Sequence, residues 1–475
     1  MDEIIEIPEE YVSPKAKINL SLGMLANGLL VGFVFGNLTF FYQVKLGLPA
    51  ELLGIGWLIF AIWNTLNDPL ASYLVDNTRT KIGRRIPYIR YGSFLYGLTF
   101  IFCWFPLAPL DNHFLLFLNF LAALFLLDTM FTIVGVCFFS LPNELAVTAK
   151  QRASISLYNA IASFGNLVLG MILPVILFTG HDGLPSYFGL AIIIIAVACT
   201  LTLFITSFFI KENMFAQMQS KEGLFEGIKL TFKNKPFWIM MIPMFCIYLV
   251  ITIVGTGLLY YIEFVLAGQL VIFFILSFFI GIVIGMILTI LVIPKWHPKK
   301  TAFINLILVS TGLGILFFVG RNAILAAIPY FFLGVGFGGA QVAIPVMFGD
   351  AIDNDELITG KRREAVYGGV NALVNKPAIS IANWIFLLTI ASFGFDSNKQ
   401  TQTDMAITGV LVAMGAIPAI LVGVSAIVLY LLYPLDGPEW RKKKIYILEL
   451  HEKKEKEYLQ KLVKEGKIKT RLNHN

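Results

Sequence analysis

The sequence predicts an all-α membrane protein with twelve membrane-spanning helices in two six-helix halves. Three observations carry this prediction: the composition, the lengths of the apolar runs and the distribution of the basic residues. The chain has 475 residues, of which 57% are hydrophobic and only 14% charged, and its mean hydropathy is +0.78. Ordinary soluble chains are about 45–50% apolar and about 25% charged. Soluble domains are therefore not expected.

The apolar residues come in runs of roughly 20 or more, the length that a helix needs to cross about 30 Å of hydrocarbon. The acidic segment before the first run lacks the basic start and short apolar core of a signal peptide, so the first helix is expected to stay in the mature protein. The twelve spans are predicted near residues 18–44, 51–75, 88–110, 114–141, 153–180, 185–210, 237–266, 269–294, 301–320, 323–349, 364–394 and 405–434.

Basic residues alternate between the two ends of these spans. By the positive-inside rule, this alternation predicts a multi-pass protein of the cell membrane with both termini cytoplasmic, which an even number of spans requires. The net charge of +6 is explained by these loops and by the tail, so no nucleic-acid partner is expected. The basic residues that follow spans two, four and ten are Arg79, Lys81, Arg84, Arg85, Lys150, Arg152, Lys361, Arg362 and Arg363.

A polar segment after the sixth span divides the chain into two sets of six spans. The predicted domains are the first half at 1–210, a cytoplasmic loop at 211–236, the second half at 237–434 and a basic cytoplasmic tail at 435–475. A short internal repeat supports the division, because ELAVTAKQR follows span four and the similar segment ELITGKRR follows span ten. Parallel halves of this kind are typical of transporters that rock one half against the other.

The sequence offers little support for an enzyme. It contains no HExxH, no GxSxG and no paired catalytic aspartates at a usable spacing. The four cysteines lie inside apolar runs without a CxxC pair or a nearby histidine, so neither a disulfide framework nor a zinc site is expected.

Two acidic residues and one basic residue lie deep in the predicted spans, where a charge costs at least about 2.5–3.5 kcal/mol and normally faces a cavity. Asp68 follows Asn64 by one helical turn and Asn67 by one residue in WNTLNDPL. These three residues are the predicted cation site. Their oxygens could coordinate Na+, or Asp68 could bind and release a proton. The alternative is that Asp68 only accepts hydrogen bonds near the cytoplasmic end of its helix.

The other two deep charges are Asp128, near the middle of span four, and Lys376, in span eleven after Asn371 and Asn375. Both are predicted to face the central cavity. A purely structural pairing of Asp128, or a lysine that extends to the membrane interface, is the alternative. A buried acid and a buried base that exchange partners when a ligand binds would give the differential affinity that coupled transport requires.

Three segments together resemble the glycoside-pentoside-hexuronide:cation symporter family of the major facilitator superfamily, and the resemblance covers most of the chain. It implies the major facilitator fold, and the import of sugars or sugar-like solutes driven by Na+, H+ or a similar cation. The segments are WNTLNDPLASYLVDNTRTKIGRRIPYI, FFSLPNELAVTAKQRASI and FGDAIDNDELITGKRREAVYGGVNALVNK.

Transferred position by position, the acidic pair of the family's second helix falls on Asn64 and Asp68, and its helix-eleven lysine falls on Lys376. One acid of the pair is thus lost, which modestly favours H+ over Na+. The sugar-clamping acids of the first and fourth helices fall near Asn27 and on Gly135. Those clamps are missing, so binding in the manner of the melibiose permease is not expected.

The resemblance places three more positions in the cavity. The arginine of the fifth helix falls near Asn159, the aromatic of the fourth is matched by Phe139, and the tryptophan of the tenth falls on Gln341. Asp128 could supply a carboxylate in place of the lost acids. The predicted substrate cavity contains Asn27, Asp128, Phe139, Asn159, Gln341, Asn371, Asn375 and Lys376.

Charged residues in the cytoplasmic loops have two compatible interpretations. They set the topology, and the resemblance implies that they also form ion pairs between helices that hold a cytoplasmic gate shut. The predicted gate residues are Asp76, Arg79, Arg84, Arg85, Glu144, Arg152, Asp350, Asp353, Glu356 and Arg363.

The leading functional prediction is cation-coupled symport of a sugar, glycoside or related solute by alternating access. The alternatives are transport of an amphiphile such as a lysolipid, an uncoupled facilitator, and a sensor that binds without transporting. The expected partners are a sugar-like small molecule and the lipid bilayer. No cofactor is expected besides a coupling ion, H+ or Na+, and no metal beyond that Na+. The protein is expected to be a monomer.

Overall fold

The computed structural model describes residues 12–145, 149–179, 183–210, 231–268, 271–360, 363–397, 399–447 and 449–450. Within these ranges the chain forms helices and short connections and contains no β-strand. Most of the predicted inter-half loop (211–230) and most of the tail (448 and 451–475) lie outside the described residues.

The helices follow the predicted spans in order. In the described part of the chain, three π-helical turns extend or connect them, at Phe41–Lys45 after α1, at Tyr261–Val265 after α7 and at Val412–Ala416 between α12 and α13. The helices are α1 Pro14–Phe40, α2 Ala50–Asn77, α3 Ile86–Trp104, α4 His113–Leu145, α5 Ala149–Phe178, α6 Phe188–Phe209, α7 Lys235–Tyr260, α8 Val271–Val319, α9 Ala327–Thr359, α10 Glu364–Asn375, α11 Pro377–Ser392, α12 Asp404–Leu411 and α13 Ile417–Leu432.

These elements make twelve crossing segments, as predicted. Helix α8 has 49 residues, but His297 has a φ of 65° and a ψ of 155°, which breaks it into arms at 271–296 and 298–319. The arms correspond to predicted spans eight and nine. Helices α10 and α11 together form span eleven, and α12 and α13 together form span twelve. Among the described residues, nine helices are long and apolar enough to cross a membrane, with α8 counted once and without α2 and α3.

Prolines explain several of these boundaries. Pro14 occupies the first turn of α1, where its missing N–H costs nothing, and the Ser13 hydroxyl caps that turn by accepting from the Ala16 amide at 3.2 Å. Pro377 cannot donate to the carbonyl one turn earlier, so the hydrogen-bond ladder of span eleven is interrupted there. The joint between α10 and α11 therefore falls at Lys376.

Packing within each half is dense, and a smaller set of contacts joins the halves. Helix α1 packs on α5 and α6, α2 on α4, and α3 on α4 and α6. In the second half, α8 packs on α9 and α13, and α7 packs on α11 and α13. The main contacts between halves are those of α2 with α11 and of α1 with α7. The end of the bundle where α1 and α7 finish is called the distal end below, and the opposite end is the proximal end.

Buried hydrogen bonds join the two halves at the distal end. The Asn383 amide oxygen on α11 accepts from the Thr39 hydroxyl of α1 at 2.9 Å and from the Thr256 hydroxyl of α7 at 3.0 Å. The Trp57 indole of α2 in turn donates to the Thr39 hydroxyl at 2.9 Å. We call these four residues the distal network. One buried amide therefore connects four helices of both halves.

A second distal contact reinforces the first. The Tyr260 hydroxyl at the end of α7 donates to Gln43 Oε1 at 2.6 Å, and the Tyr260 ring lies edge-on to Phe40 with centroids 5.0 Å apart. All three residues are buried. The distal end is therefore closed by hydrogen bonds and by aromatic packing.

Helices α8 and α9 approach each other backbone to backbone. A Cβ on Gly334 would overlap the carbonyl oxygen of Phe278, and a Cβ on Gly338 would overlap that of Ile282. Only glycine fits at such points, as at the close helix crossings of other membrane proteins. The first arm of α8 and helix α9 are thus fixed against each other.

Candidate functional site: a charged cluster between the two halves

An ion pair joins the halves within the membrane interior. Lys376 Nζ lies 2.5 Å from Asp68 Oδ1, and the two side chains are only 20% and 27% exposed. Lys376 stands at the joint between α10 and α11, and Asp68 lies on α2, just before the helix-internal Pro69. A charge in this environment requires a partner, and each residue supplies the partner of the other. The structure thus brings the acid of the predicted cation site into contact with the base of the predicted substrate cavity.

Asn64 lies beside this pair. Its amide nitrogen is 3.5 Å from the Lys376 carbonyl oxygen, while its own Oδ1 is buried without a hydrogen-bond partner among the described residues. In α10, Asn375 donates to Asn371 Oδ1 at 2.5 Å, and Asn375 Oδ1 is likewise buried and unpaired. Two amide oxygens near the ion pair therefore retain unused acceptor capacity.

Asp128 and Asn67 form a second cluster, between α4 and α2. Asp128 is fully buried, and its Oδ2 accepts from Asn67 Nδ2 at 3.0 Å. The same amide nitrogen lies 3.0 Å from the Thr132 hydroxyl. Asp128 interacts electrostatically with both Asp68 and Lys376, so the two clusters form one charged group. Asn67, predicted to serve Asp68, is instead bonded to Asp128.

Aromatic rings flank the charged group. Lys376 Nζ lies 6.0 Å from the centre of the Phe131 ring on α4, within the range of a cation–π contact. Trp63, next to Asn64 on α2, stacks on Phe125 with centroids 5.3 Å apart and planes 14° apart. The lysine of the ion pair therefore lies near a polarisable aromatic ring.

Asn27 and Phe139 meet across the gap left by Gly135. A Cβ on Gly135 would lie 3.6 Å from Asn27 Nδ2 and 3.6 Å from the Phe139 ring. Asn27 Oδ1 is buried without a partner among the described residues, whereas the Phe139 side chain is 64% exposed. The structure thus places an amide and an exposed ring together at one of the lost clamp positions.

The remaining cavity predictions are less closely grouped. Asn159 Oδ1 on α5 accepts a hydrogen bond from the Ser21 hydroxyl of α1 at 2.7 Å, so the Asn159 amide nitrogen can still donate a hydrogen bond to a ligand. Gln341 is exposed on α9. A role of either residue in binding stays a prediction.

At the proximal end, two predicted gate residues have partners in the second half or in the segment that follows it. Arg363 forms a bidentate pair with Asp355 at 2.6–2.9 Å, and both side chains are buried. Asp350 pairs with Lys444 of the segment after α13 at 2.6 Å. The predicted gate pairs between the halves stay a prediction, because an opened gate and a closed gate use different partners.

Five other predicted gate residues lie at the proximal end. Arg84 and Arg85 are buried near the start of α3, Arg79 lies in the loop before them, and Asp353 and Glu356 lie on α9. The side chains of three further predicted gate residues lie outside the described part of the structure: Asp76, Glu144 and Arg152.

Sequence reasoning missed several residues of the site. Thr132 and Phe131 follow Asp128 by one turn or less, so their helical spacing was an available signal. Asn383 is a single amide in an otherwise apolar stretch, IANWIF, and such isolated polar residues in a span usually have a bonded partner. Asp355 lies within the same motif as four predicted gate residues, Asp350, Asp353, Glu356 and Arg363.

Curated relatives are similar to this chain over nearly its whole length. A putative glycoside/cation symporter of Escherichia coli (strain K12), YagG, is 23% identical over 414 residues, which cover 86% of this chain and 89% of the relative. The isoprimeverose transporter of Lactiplantibacillus pentosus is 22% identical over 448 residues, which cover 91% of each chain.

The fold is that of solved transporters. The crystal structure of the nucleoside transporter NupG superposes with a TM-score of 0.63 at 12% identity, and the match covers 87% of this chain and 98% of that one. This likeness shows the major facilitator fold, with its two six-helix halves, and confirms the fold class predicted from the sequence.

The family follows from a match that spans most of the chain. The profile of the family described as MFS/sugar transport protein matches residues 20–437, from α1 to the segment after α13. This range includes the charged group, the distal network and all twelve crossing segments. The chain therefore belongs to the MFS/sugar transport protein family and is a multi-pass membrane transporter rather than an enzyme.

Proposed function

We propose that the protein is a secondary active transporter that moves a sugar, glycoside or related solute together with a cation, H+ or Na+, by alternating access. The observation that carries this proposal is the Asp68–Lys376 ion pair, which connects the two halves inside the membrane. An ion pair across this interface weakens when the halves separate at its level. A ligand that competes for either charge therefore binds one conformation better than the other, which is the requirement for coupling.

The surroundings of the pair support a sugar-like substrate. Asn27 and Asn159 offer amide groups for hydroxyls, and the exposed Phe139 ring offers an apolar face, the combination that small-molecule sites use. The names of the two relatives refer to glycosides and to isoprimeverose. Cation coupling is supported by the first of these names and by the buried acids.

We place both termini on the cytoplasmic side of the cell membrane, because the basic loops after spans two, four and ten lie at the end where α1 begins. The distal end then faces outward. Its closure by the distal network supports an inward-facing conformation.

The test is uptake into proteoliposomes. A panel of labelled mono- and disaccharides, including isoprimeverose, is offered with an imposed inward H+ gradient, an imposed inward Na+ gradient or no gradient. We expect at least one sugar to accumulate above its external concentration with one of the two gradients. Lys376→Gln is expected to abolish this accumulation, because it removes the base of the ion pair. The matched control is Lys399→Gln, the same change at an exposed lysine 3.4 Å from Asp396 in a distal loop.

Other outcomes would contradict the proposal in different ways. Uptake that only equilibrates, whatever the gradient, would indicate an uncoupled facilitator. Vesicles that take up a labelled lysolipid and none of the sugars would indicate an amphiphile transporter.

A further inference from the structure

We propose that Asp128 takes up the coupling proton, while Asp68 remains the partner of Lys376. This inference rests on the function proposed above and names H+ as the coupling ion. The observation behind it is a fully buried carboxylate with a hydrogen-bond donor on only one of its two oxygens. Asp128 Oδ2 accepts from Asn67, whereas Oδ1 is buried and has no hydrogen-bond partner among the described residues.

An ionised carboxylate in this position is costly. Its oxygens together accept about four hydrogen bonds, and a buried acceptor without a donor loses its hydration with nothing in return. Asn64 Oδ1 is a second buried acceptor without a donor, and it lies one turn from Asn67 on α2. A proton on Asp128 Oδ1 turns an acceptor into a donor and removes the buried charge, so it relieves both costs.

Asp68 is a weaker candidate, because its charge is already matched. Lys376 Nζ contacts Asp68 Oδ1 directly, so an added cation must first displace the ammonium group. No such displacement is needed at Asp128. The sequence alone favoured Asp68 as the cation site, since the positions of Asp128 Oδ1 and Lys376 Nζ are tertiary features.

The titratable or charged groups that interact with Asp128 are Asp68 on α2, Tyr96 on α3 and Lys376 between α10 and α11. The Tyr96 hydroxyl donates to the Asn27 carbonyl oxygen at 3.0 Å, so it does not supply the missing donor. With both acids ionised, this group carries one net negative charge. With Asp128 protonated it is neutral.

This change of charge links proton uptake to transport. Closing the cavity removes the remaining hydration of the partly exposed Asp68–Lys376 pair, and this costs more when the charged group as a whole carries a net charge than when it is neutral. Proton uptake at Asp128 therefore favours the closed, substrate-loaded form. Without the acid, that form no longer requires a proton.

The experiment compares Asp128→Asn with the native chain in proteoliposomes, using a sugar that the native chain accumulates. The variant is expected to lose accumulation driven by an H+ gradient, while its exchange of labelled for unlabelled sugar at equal concentrations persists. Asp404→Asn is the control, because it removes a carboxylate whose side chain is 90% exposed at the distal end, and it is expected to keep both activities.

The results that would overturn the role of Asp128 differ from the result that would overturn the proposed function. Native-like accumulation by Asp128→Asn under an H+ gradient overturns the inference and leaves symport intact. Accumulation by the native chain under a Na+ gradient alone also overturns it. If the native chain accumulates nothing under either gradient, the proposed function itself fails.

A spectroscopic measurement tests whether Asp128 carries the proton, even if the Asp128→Asn variant folds but does not transport. Infrared difference spectra of the purified protein, recorded as the pH is raised, are expected to show the loss of a protonated-carboxyl C=O band. The band is expected in the native chain and in Asp404→Asn and to be absent from Asp128→Asn. A band that survives in Asp128→Asn would assign the proton to another residue.

Discussion

Lys376→Gln is expected to abolish gradient-driven uptake and to destabilise the protein more than Asp68→Asn does. Removing the lysine leaves Asp68 and Asp128 without a positive partner, whereas removing Asp68 leaves Lys376 in the field of Asp128. An unpaired charge in the membrane interior costs about 2.5–3.5 kcal/mol. Because the pair is partly exposed to the cavity, we expect Lys376→Gln to lower the free energy of unfolding by about 1–3 kcal/mol. Chemical unfolding of the purified variants, compared with that of the native chain, measures this loss.

The double variant Asp68→Asn/Lys376→Gln tests whether the stability effect comes from the pair. Removing both charges leaves neither unpaired, so its stability is expected to exceed that of Lys376→Gln alone, with a coupling energy of about 0.5–3 kcal/mol between the two sites. Transport is not expected to return. Strictly additive losses of stability would contradict a direct interaction.

Asn383→Leu is expected to open the distal end. Leucine has the same number and branching of side-chain heavy atoms as asparagine, but it leaves the Thr39 and Thr256 hydroxyls without their shared acceptor in the distal-closed form. Two hydrogen bonds of about 0.5–1.5 kcal/mol each shift the equilibrium by about 1–3 kcal/mol, or about 5–150-fold. Pulsed electron paramagnetic resonance between spin labels at the exposed Leu107 and Met405, one in each half, should show a longer distance.

Thr389→Val is the matched control for this change. Thr389 also lies on α11, but its hydroxyl bonds only to the Ile385 carbonyl of its own helix, at 2.7 Å. Its removal is expected to leave the label distance unchanged. If Asn383→Leu and Thr389→Val give the same distribution as the native chain, the distal network does not hold the halves together.

The sequence predicted the number and order of the crossing segments, because a run of about 20 apolar residues has few alternatives to a spanning helix. It did not predict how spans eight and nine are connected. The predicted spans end at 294 and begin at 301, whereas helical turns continue through most of this gap and only His297 within α8 departs from helical geometry. Local composition does not reveal such a short break.

The sequence predicted only part of the candidate site. Asp68 and Lys376 stood out because charges in spans are costly, but their contact joins residues 308 positions apart in the sequence. Asp128 was expected to face the substrate cavity; in this conformation it is fully buried and bonded to Asn67, and its role in the cavity stays a prediction. Which face of a helix meets a neighbour depends on the packing of all the helices, and no single span determines it.

Polar residues without charge were the hardest to predict. Thr39, Thr256 and Asn383 are each ordinary in an apolar span, and they become informative only when α1, α7 and α11 meet. Asp350 was predicted to belong to a gate between the halves, but the distant Lys444 supplies its partner in this conformation.

The direct backbone contact of α8 and α9 at Gly334 and Gly338 affects how the helices of the second half move. At these two points no side chain separates the helices, so the first arm of α8 and helix α9 cannot slide past each other without a backbone clash. The Asp350–Lys444 pair lies towards the proximal end of α9. We therefore expect a displacement of α9 at this pair to move the first arm of α8 with it, so that the two helices tilt together.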